Sequence, residues 1–403
     1  MVERRRIVME NTKSNKTFIG YFIGWCLYFS QSILGLQGRL SQLLLMVMVV
    51  WSFVYFFRTI KMSNLNPVLR TLTFLLSIFI VYGLVQLAFA SGITLESLEY
   101  LKKAIISIVP IYGFYYLLKR IDISETGMIL IIIALLLVAV GEYYSSRREL
   151  VELIAEGVKA DRDVSEFVIG SSYRLLPIIP LLFFVKKDWL KYSVMAVILF
   201  YAILSIKRGP IFIGALCLVI FILDNLKVTS SRFRFSTILF TVLAVGAGYY
   251  MVTRLLQNND FLLYRIEEML EGDSSNRYTI YAELFNHITS ETNPIIWLLG
   301  NGADSTLTIM GYYAHNDWLQ IAFEQGLLGL IIYLSYYFQF IKIWRRTKSN
   351  HELHMCIALL LIITLISSFI SMSVTNQRVT AHFGIAYCLA LADNYLYKKK
   401  RTI

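Results

Sequence analysis

Apolar runs long enough to cross a lipid bilayer recur along almost the whole chain. A helix rises about 1.5 Å per residue, so about 20 apolar residues span a hydrocarbon core of about 30 Å. Within lipid an α-helix satisfies its own backbone hydrogen bonds. The sequence therefore predicts an all-α, polytopic membrane protein with about 12 transmembrane helices. The predicted spans are 18–35, 39–57, 71–90, 101–118, 124–144, 171–185, 188–206, 209–226, 235–254, 316–341, 354–375 and 380–397.

Composition favours one transmembrane domain over residues 1–403. Of these residues 57% are apolar and 16% are charged, and the mean hydropathy is +0.61. Soluble domains carry about 25% charged residues, so a soluble fold is excluded. The run at 171–185 is short and contains Pro177 and Pro180. We expect it to be the least regular of the spans.

The net charge of +11 follows membrane topology rather than nucleic-acid binding. When each Lys and Arg is assigned to its nearest loop, 24 of the 38 lie on the side that holds both termini, and 14 lie on the other. Cytoplasmic loops carry the excess of positive charge, so both termini are predicted to be cytoplasmic. The basic residues also suit anionic lipid headgroups. Membrane lipids are expected partners, and nucleic acid is not.

The segment 255–314, between predicted spans nine and ten, is a large extracytoplasmic loop with short helices. Apolar residues recur at helical spacing over 260–270, which predicts a helix lying at the membrane interface. Residues 273–276 are polar and suit a helix cap, and a second helix is predicted over 277–287. Gly300-Asn301-Gly302 predicts a turn. A structured outer loop that leads into a polar helix start is typical of a lid over an active site.

His315 and Asn316 stand immediately before the tenth predicted span. Polar and titratable residues in membrane helices usually face water or a ligand. A helix extended back to His315 would place it on one stripe with small residues, which allow close helix packing. That stripe comprises His315, Leu319, Ala322, Gly326 and Gly329. The pattern predicts that His315 faces into the protein near its outer surface.

Four arginines near predicted outer ends of spans could bind an anion. Arg208 lies in a short outer turn before Gly209, and Arg277 opens the loop helix. Arg174 precedes the two prolines of the sixth span, and Arg378 lies in the last outer turn. For each of them the alternative is a side chain that reaches solvent or the lipid headgroups. Neither the histidine spacing nor the outer carboxylates suggest a metal site.

Several motifs of the C-terminal half together resemble the O-antigen ligase and polymerase superfamily. The first is a basic motif ahead of a membrane helix, and the second runs from an arginine to a glycine-rich turn. The third, which matches most closely, is a His-Asn pair followed by two glycines. The N-terminal half is similar to the family in hydropathy alone. The matching residues are Lys207-Arg208-Gly209; Arg277, Tyr281-Ala282, Asn293-Pro294 and Gly300-Asn301-Gly302; and His315-Asn316 with Gly326 and Gly329.

The resemblance implies an all-helical GT-C-type fold that works without a metal or cofactor. Such enzymes transfer a glycan from undecaprenyl diphosphate to a hydroxyl group on the outer side of the membrane. By this resemblance His315 would be the catalytic base, and Asn316 would contact substrate. By the matching motifs Arg208 and Arg277 would bind the diphosphate, and Arg174 and Arg378 are further candidates because of their positions near the outer ends of spans.

The function expected from the resemblance is that of a Wzy-like polysaccharide polymerase in the bacterial cytoplasmic membrane. It would join lipid-linked oligosaccharide repeat units into an O-antigen or capsule chain. A chain-length regulator and a flippase of the same pathway are candidate partners. Two alternatives remain open. One is a WaaL-type ligase that transfers the finished glycan to an acceptor such as lipid A–core, and the other is a polysaccharide transporter or flippase.

Overall fold

Every regular element that the structure describes is a helix. A computed structural model gives the conformation of residues 2–36, 38–89, 95–155, 170–205, 207–228, 246, 250, 253–254, 277–371, 374 and 377–401. The first seven α-helices are α1 (Val2–Phe29), α2 (Arg39–Ile60), α3 (Pro67–Phe89), α4 (Leu95–Leu118), α5 (Glu125–Ala155), α6 (Asp188–Leu204) and α7 (Arg208–Val228). The others are α8 (Arg277–Ser290), α9 (Pro294–Leu299), α10 (Ser305–Met310), α11 (Asp317–Arg346), α12 (His351–Ile370) and α13 (Val379–Arg401). The predicted all-α class is confirmed.

The helices coincide with all but one of the predicted spans, since most of 235–254 lies outside the described residues. Within the described part, seven helices are long and apolar enough to cross a membrane: α2, α3, α4, α5, α7, α11 and α12. Their outer surfaces carry exposed apolar side chains such as Met46, Leu137 and Phe338. An apolar outer surface suits contact with lipid rather than water. The interfacial helix predicted at 260–270 and its neighbouring cap at 273–276 also lie outside the described residues.

The centre of the bundle is α4, which packs against α2, α3 and α13. Aromatic rings fill the space around it: the ring centroid of Tyr21 lies 4.9 Å from that of Phe114, which lies 6.0 Å from that of Phe383. The buried Tyr21 hydroxyl lies 2.6 Å from Ser52 Oγ, so its polar end is satisfied inside the core. These contacts join α1, α2, α4 and α13 into one packed unit.

The short proline-containing span forms two 3-10 helices, Gly170–Arg174 and Leu176–Phe184. Pro180 has no N–H to donate, and its ring would clash with the carbonyl four residues earlier, so a regular α-helix is disfavoured. This segment is nevertheless almost completely buried and packs against α12 and α13. It holds Tyr173 and Arg174 at one end of the bundle, beside the start of α7.

Contacts near the ends of the helices fall into two groups, one at each end of the bundle. At one end Asn66 donates to Asp393 across 2.8 Å, and Lys119 lies 3.5 Å from the same carboxylate. At the other end Arg277 bonds to the last residue of α12, Ile370. The first set belongs to loops predicted to be cytoplasmic, and the second to loops predicted to lie outside. All the candidate site residues belong to this second end.

Candidate functional site

His315 lies outside the helix that the sequence pattern assigned to it. The helix α11 begins at Asp317, and Asn316 is its N-cap: its Oδ1 accepts from the backbone N–H groups of Trp318 at 2.9 Å and Leu319 at 3.2 Å. His315 has a left-handed backbone with φ of 50°. The predicted stripe from His315 to Gly329 is therefore wrong, because α11 begins after the Asn316 cap and does not include His315. The Oδ1 of Asn316 serves the helix cap and its side chain also hydrogen-bonds Tyr281, so substrate binding by Asn316 remains a prediction.

A break at Gly326 divides α11, with φ of 61° and ψ of −158°. Carbonyl groups before the break accept bonds from the glycine-rich turn. Asn301 N–H donates to Phe323 O and Gly302 N–H donates to Glu324 O, both at 2.9 Å. A Cβ on Gly326 would lie 2.5 Å from the backbone nitrogen of Gly300, so the close approach requires glycine. The predicted turn thus exists, and it packs against the helix that follows His315.

Arg277 and Tyr281 fasten α8 over the end of α12. Arg277 Nη1 donates to Ile370 O at 3.0 Å, and Tyr281 donates to His315 O at 3.3 Å. The structure describes this helix from Arg277 onward, and the predicted cap at 273–276 lies outside the described residues. A guanidinium has five N–H donors in a planar fork, so the bond to Ile370 leaves most of them for a ligand. α8 therefore brings a cationic side chain next to the backbone that carries His315.

Arg174 forms an ion pair that sequence reasoning missed. Its Nη1 lies 3.1 Å from Glu142 Oε2, and the Glu142 side chain is 7% exposed. Buried carboxylates rarely remain charged without such a partner. Arg378 belongs to the same group: burial and then the charge of Arg174 lower its pKa to about 10, while Glu142 and Tyr28 act in the opposite direction. A carboxylate at the end of an otherwise apolar span was the available signal for Glu142.

At the start of α7, Lys207 rather than Arg208 lies within the cationic group. The Lys207 ammonium lies 5.8 Å from the centroid of the Tyr173 ring. Burial, and then the nearby charges of Arg277 and Arg174, together lower its pKa to about 8. The Arg208 side chain is exposed. Binding of an anion by Arg208 therefore remains a prediction, and Lys207 is a candidate that the motif did not single out.

The imidazole of His315 is held neutral by its surroundings. Burial, and then the charges of Arg277 and Lys207, together lower its pKa to about 4. One side of the residue is exposed, so solvent screens part of the effect of these charges. At neutral pH the ring is therefore unprotonated, and an anion bound beside it would raise its pKa and so its ability to accept a proton. A neutral imidazole beside two cations can act as a general base next to a bound anion.

The candidate site is a connected group of four cations and one histidine with a single paired carboxylate. Arg277, Lys207 and His315 form one part, and Arg174, Arg378 and Glu142 form the other. The two parts are linked because the charge of Arg174 acts on Lys207. Among the residues that the structure describes, no group of three or more His, Cys, Asp or Glu side chains could hold a metal ion.

Comparison of the chain with models of known protein families and with curated proteins found no match. The chain is therefore classed by its own features, as an all-helical protein whose apolar helices suit a membrane.

Proposed function

We propose that the protein is a membrane glycosyltransferase that polymerises undecaprenyl-diphosphate-linked oligosaccharide repeat units into a surface polysaccharide. One arrangement carries the proposal: the bond from Tyr281 to His315 O at 3.3 Å holds the helix of Arg277 against His315, where the charges of Arg277 and Lys207 help keep the imidazole neutral. Cations that repel one another are stabilised by a multiply charged anion, and a diphosphate is such an anion. A base beside that anion suits transfer of its glycosyl group.

In the proposed reaction a hydroxyl oxygen of the acceptor sugar attacks the anomeric carbon of the donor. The bond between that carbon and the diphosphate oxygen breaks, and its electron pair leaves with the diphosphate. His315 accepts the proton of the attacking hydroxyl and later releases it to water. Arg277 and Arg174 stabilise the charge that grows on the leaving diphosphate. Charge-assisted hydrogen bonds of this kind contribute about 1.5–3 kcal/mol each.

The fold and location belong to the same proposal. We infer about twelve spans in a GT-C-type arrangement, with both termini in the cytoplasm and the His315 end on the outer face of the bacterial cytoplasmic membrane. A lipid-borne donor reaches such a site from within the bilayer. The glycine-rich turn and α8 would then cover the site as part of the outer loop.

The lipid-linked intermediate that accumulates in a strain lacking the protein distinguishes this function from its rivals. Loss of a polymerase leaves single repeat units on the outer leaflet. A ligase uses the same chemistry to transfer the finished chain to a terminal acceptor. Loss of a ligase therefore leaves full-length chains on the lipid carrier. Loss of a flippase traps single units inside. Accumulation of single units on the inner leaflet would contradict the proposed function.

A further inference from the structure

Two neighbouring basic residues, Lys207 and Arg208, precede and open α7, and the fold separates them. Lys207 comes before the helix: its carbonyl accepts the N–H of Ile211 at 3.4 Å, and its own N–H donates to Ser205 Oγ at 3.4 Å. Ser205 is buried, so this bond fixes the Lys207 backbone against the protein. Arg208 begins the helix proper and its side chain is exposed. The two side chains thus have different surroundings.

Gly209 packs closely against Tyr173 and Ile370, and this packing brings Lys207 and Arg277 to the same side of the site. A Cβ on Gly209 would lie 1.8 Å from the Tyr173 hydroxyl and 2.9 Å from Ile370 Cδ1. Ile370 is the residue whose carbonyl binds the Arg277 guanidinium at 3.0 Å. Tyr173 is the ring beneath the Lys207 ammonium. The absence of a side chain at Gly209 therefore lets two cations approach from opposite elements.

No carboxylate among the described residues lies within ion-pair distance of Lys207. The one carboxylate of the cluster, Glu142, is 3.1 Å from Arg174 and is used there. A lysine surrounded by cations, with no counter-ion in the described part of the chain, is costly in the absence of an anion. An anion placed between Lys207 and Arg277 removes that cost, and the flexible stem of lysine lets its charge follow the anion.

We propose that Lys207, and not Arg208, forms the diphosphate site together with Arg277. This inference rests on the proposed function and names the residues of its anion site. The assignment reverses the one that the sequence motif implies for this pair. Arg208, at the exposed side of the helix start, would contribute at most a screened, longer-range attraction.

The direct test is the affinity of purified full-length protein for a sugar-free probe, undecaprenyl methyl diphosphate. This probe is a diphosphate diester, so its own charge does not change near neutral pH. Lys207→Gln should weaken binding by about ten- to a hundredfold, the value of one charge-assisted hydrogen bond. Lys207→Arg should recover most of the loss, and Arg208→Gln should lose far less than Lys207→Gln. Lys102→Gln, an exposed lysine on α4, serves as the unaffected control.

A second measurement does not depend on how well Lys207→Gln folds. Binding of the anion should raise the pKa of Lys207, which faces Arg277, Arg174, His315 and Tyr173 and has a pKa of about 8 without ligand. Calorimetry in buffers of different ionisation enthalpy should therefore show proton uptake when the probe binds at about pH 8. Lys207→Arg should show none, because a guanidinium stays protonated. Equal uptake in the Lys207→Arg variant would overturn the inference.

The outcomes separate the inference from the function on which it rests. A larger loss in Arg208→Gln than in Lys207→Gln would return the site to Arg208 and overturn the inference, while the glycosyltransferase proposal would stand. Unchanged probe affinity in Lys207→Gln, Arg208→Gln and Arg277→Ala alike would remove the anion site altogether. The proposed function would then fail with it.

Discussion

Replacement of Arg277 tests whether the outer helix α8 supplies a diphosphate ligand or only a structural contact. Arg277→Ala removes the bond from Nη1 to Ile370 O and the remaining donors of the fork. Two charge-assisted bonds to the leaving diphosphate, at about 1.5 kcal/mol each, correspond to a loss of about 10²-fold in kcat/KM. Arg277→Lys keeps the charge but not the planar fork, so it should recover only part of this loss.

The assay for Arg277 is turnover of lipid-linked repeat units by purified protein, with protein level and thermal unfolding measured in parallel. Tyr281 still holds α8 through its bond to His315 O, so we expect the fold to persist. Tyr278→Ala is the matched control, because Tyr278 is the next residue of the same helix and is 80% exposed. Activity within about twofold of the wild type in Arg277→Ala, with a normal Tyr278→Ala control, would refute its role as a diphosphate ligand.

Three further predictions concern the ion pair, the topology and the pH profile. Glu142→Gln should lower the free energy of unfolding by about 3–5 kcal/mol in denaturant titrations, because it leaves Arg174 without its buried partner; an unchanged midpoint would contradict this. In a cysteine-free background, Thr292→Cys should react with an impermeant outside reagent and Lys348→Cys should not; the reverse pattern would invert the topology. A base with a pKa of about 4 is neutral above that pH, so kcat/KM should stay level from about pH 5 and fall above about pH 8 as Lys207 loses its proton. A rise centred near the ordinary histidine pKa of about 6.5 would contradict that profile.

The helices and their order could be predicted because apolar length and charge bias are local signals. The helical residues of α8 and the glycine-rich turn followed from helical spacing and turn residues. The break at Gly326 could not, because a glycine within an apolar helical pattern also suits close helix packing. What makes Gly326 a break is its contact with Gly300, which is distant in the sequence.

The composition of the site was partly predictable for similar reasons. Arg277, Arg174 and His315 are predictable because they are charged or titratable residues near the outer ends of spans. Asn316 carries a cap signal in the sequence, a polar residue directly before an acidic one at a helix start, whereas the family resemblance implies a contact with substrate. Glu142 pairs with a residue on another element, and Lys207 differs from Arg208 only in its three-dimensional surroundings. Neither the ion pair of Glu142 nor the surroundings of Lys207 can be predicted from the neighbouring residues in the sequence.

Whether His315 accepts the proton of the acceptor hydroxyl is the central claim, and one comparison of variants tests it most directly. Donor binding and glycosyl transfer are measured separately for His315→Ala, His315→Gln and His315→Asn, with lipid-linked substrate and purified protein. Asparagine tolerates the left-handed backbone at this position, where φ is 50°, so it controls for backbone strain. The account predicts that all three variants bind the donor and lose about 10²–10⁴-fold in transfer rate. Transfer near the wild-type rate in His315→Gln or His315→Asn would contradict it, because neither side chain can take up the proton.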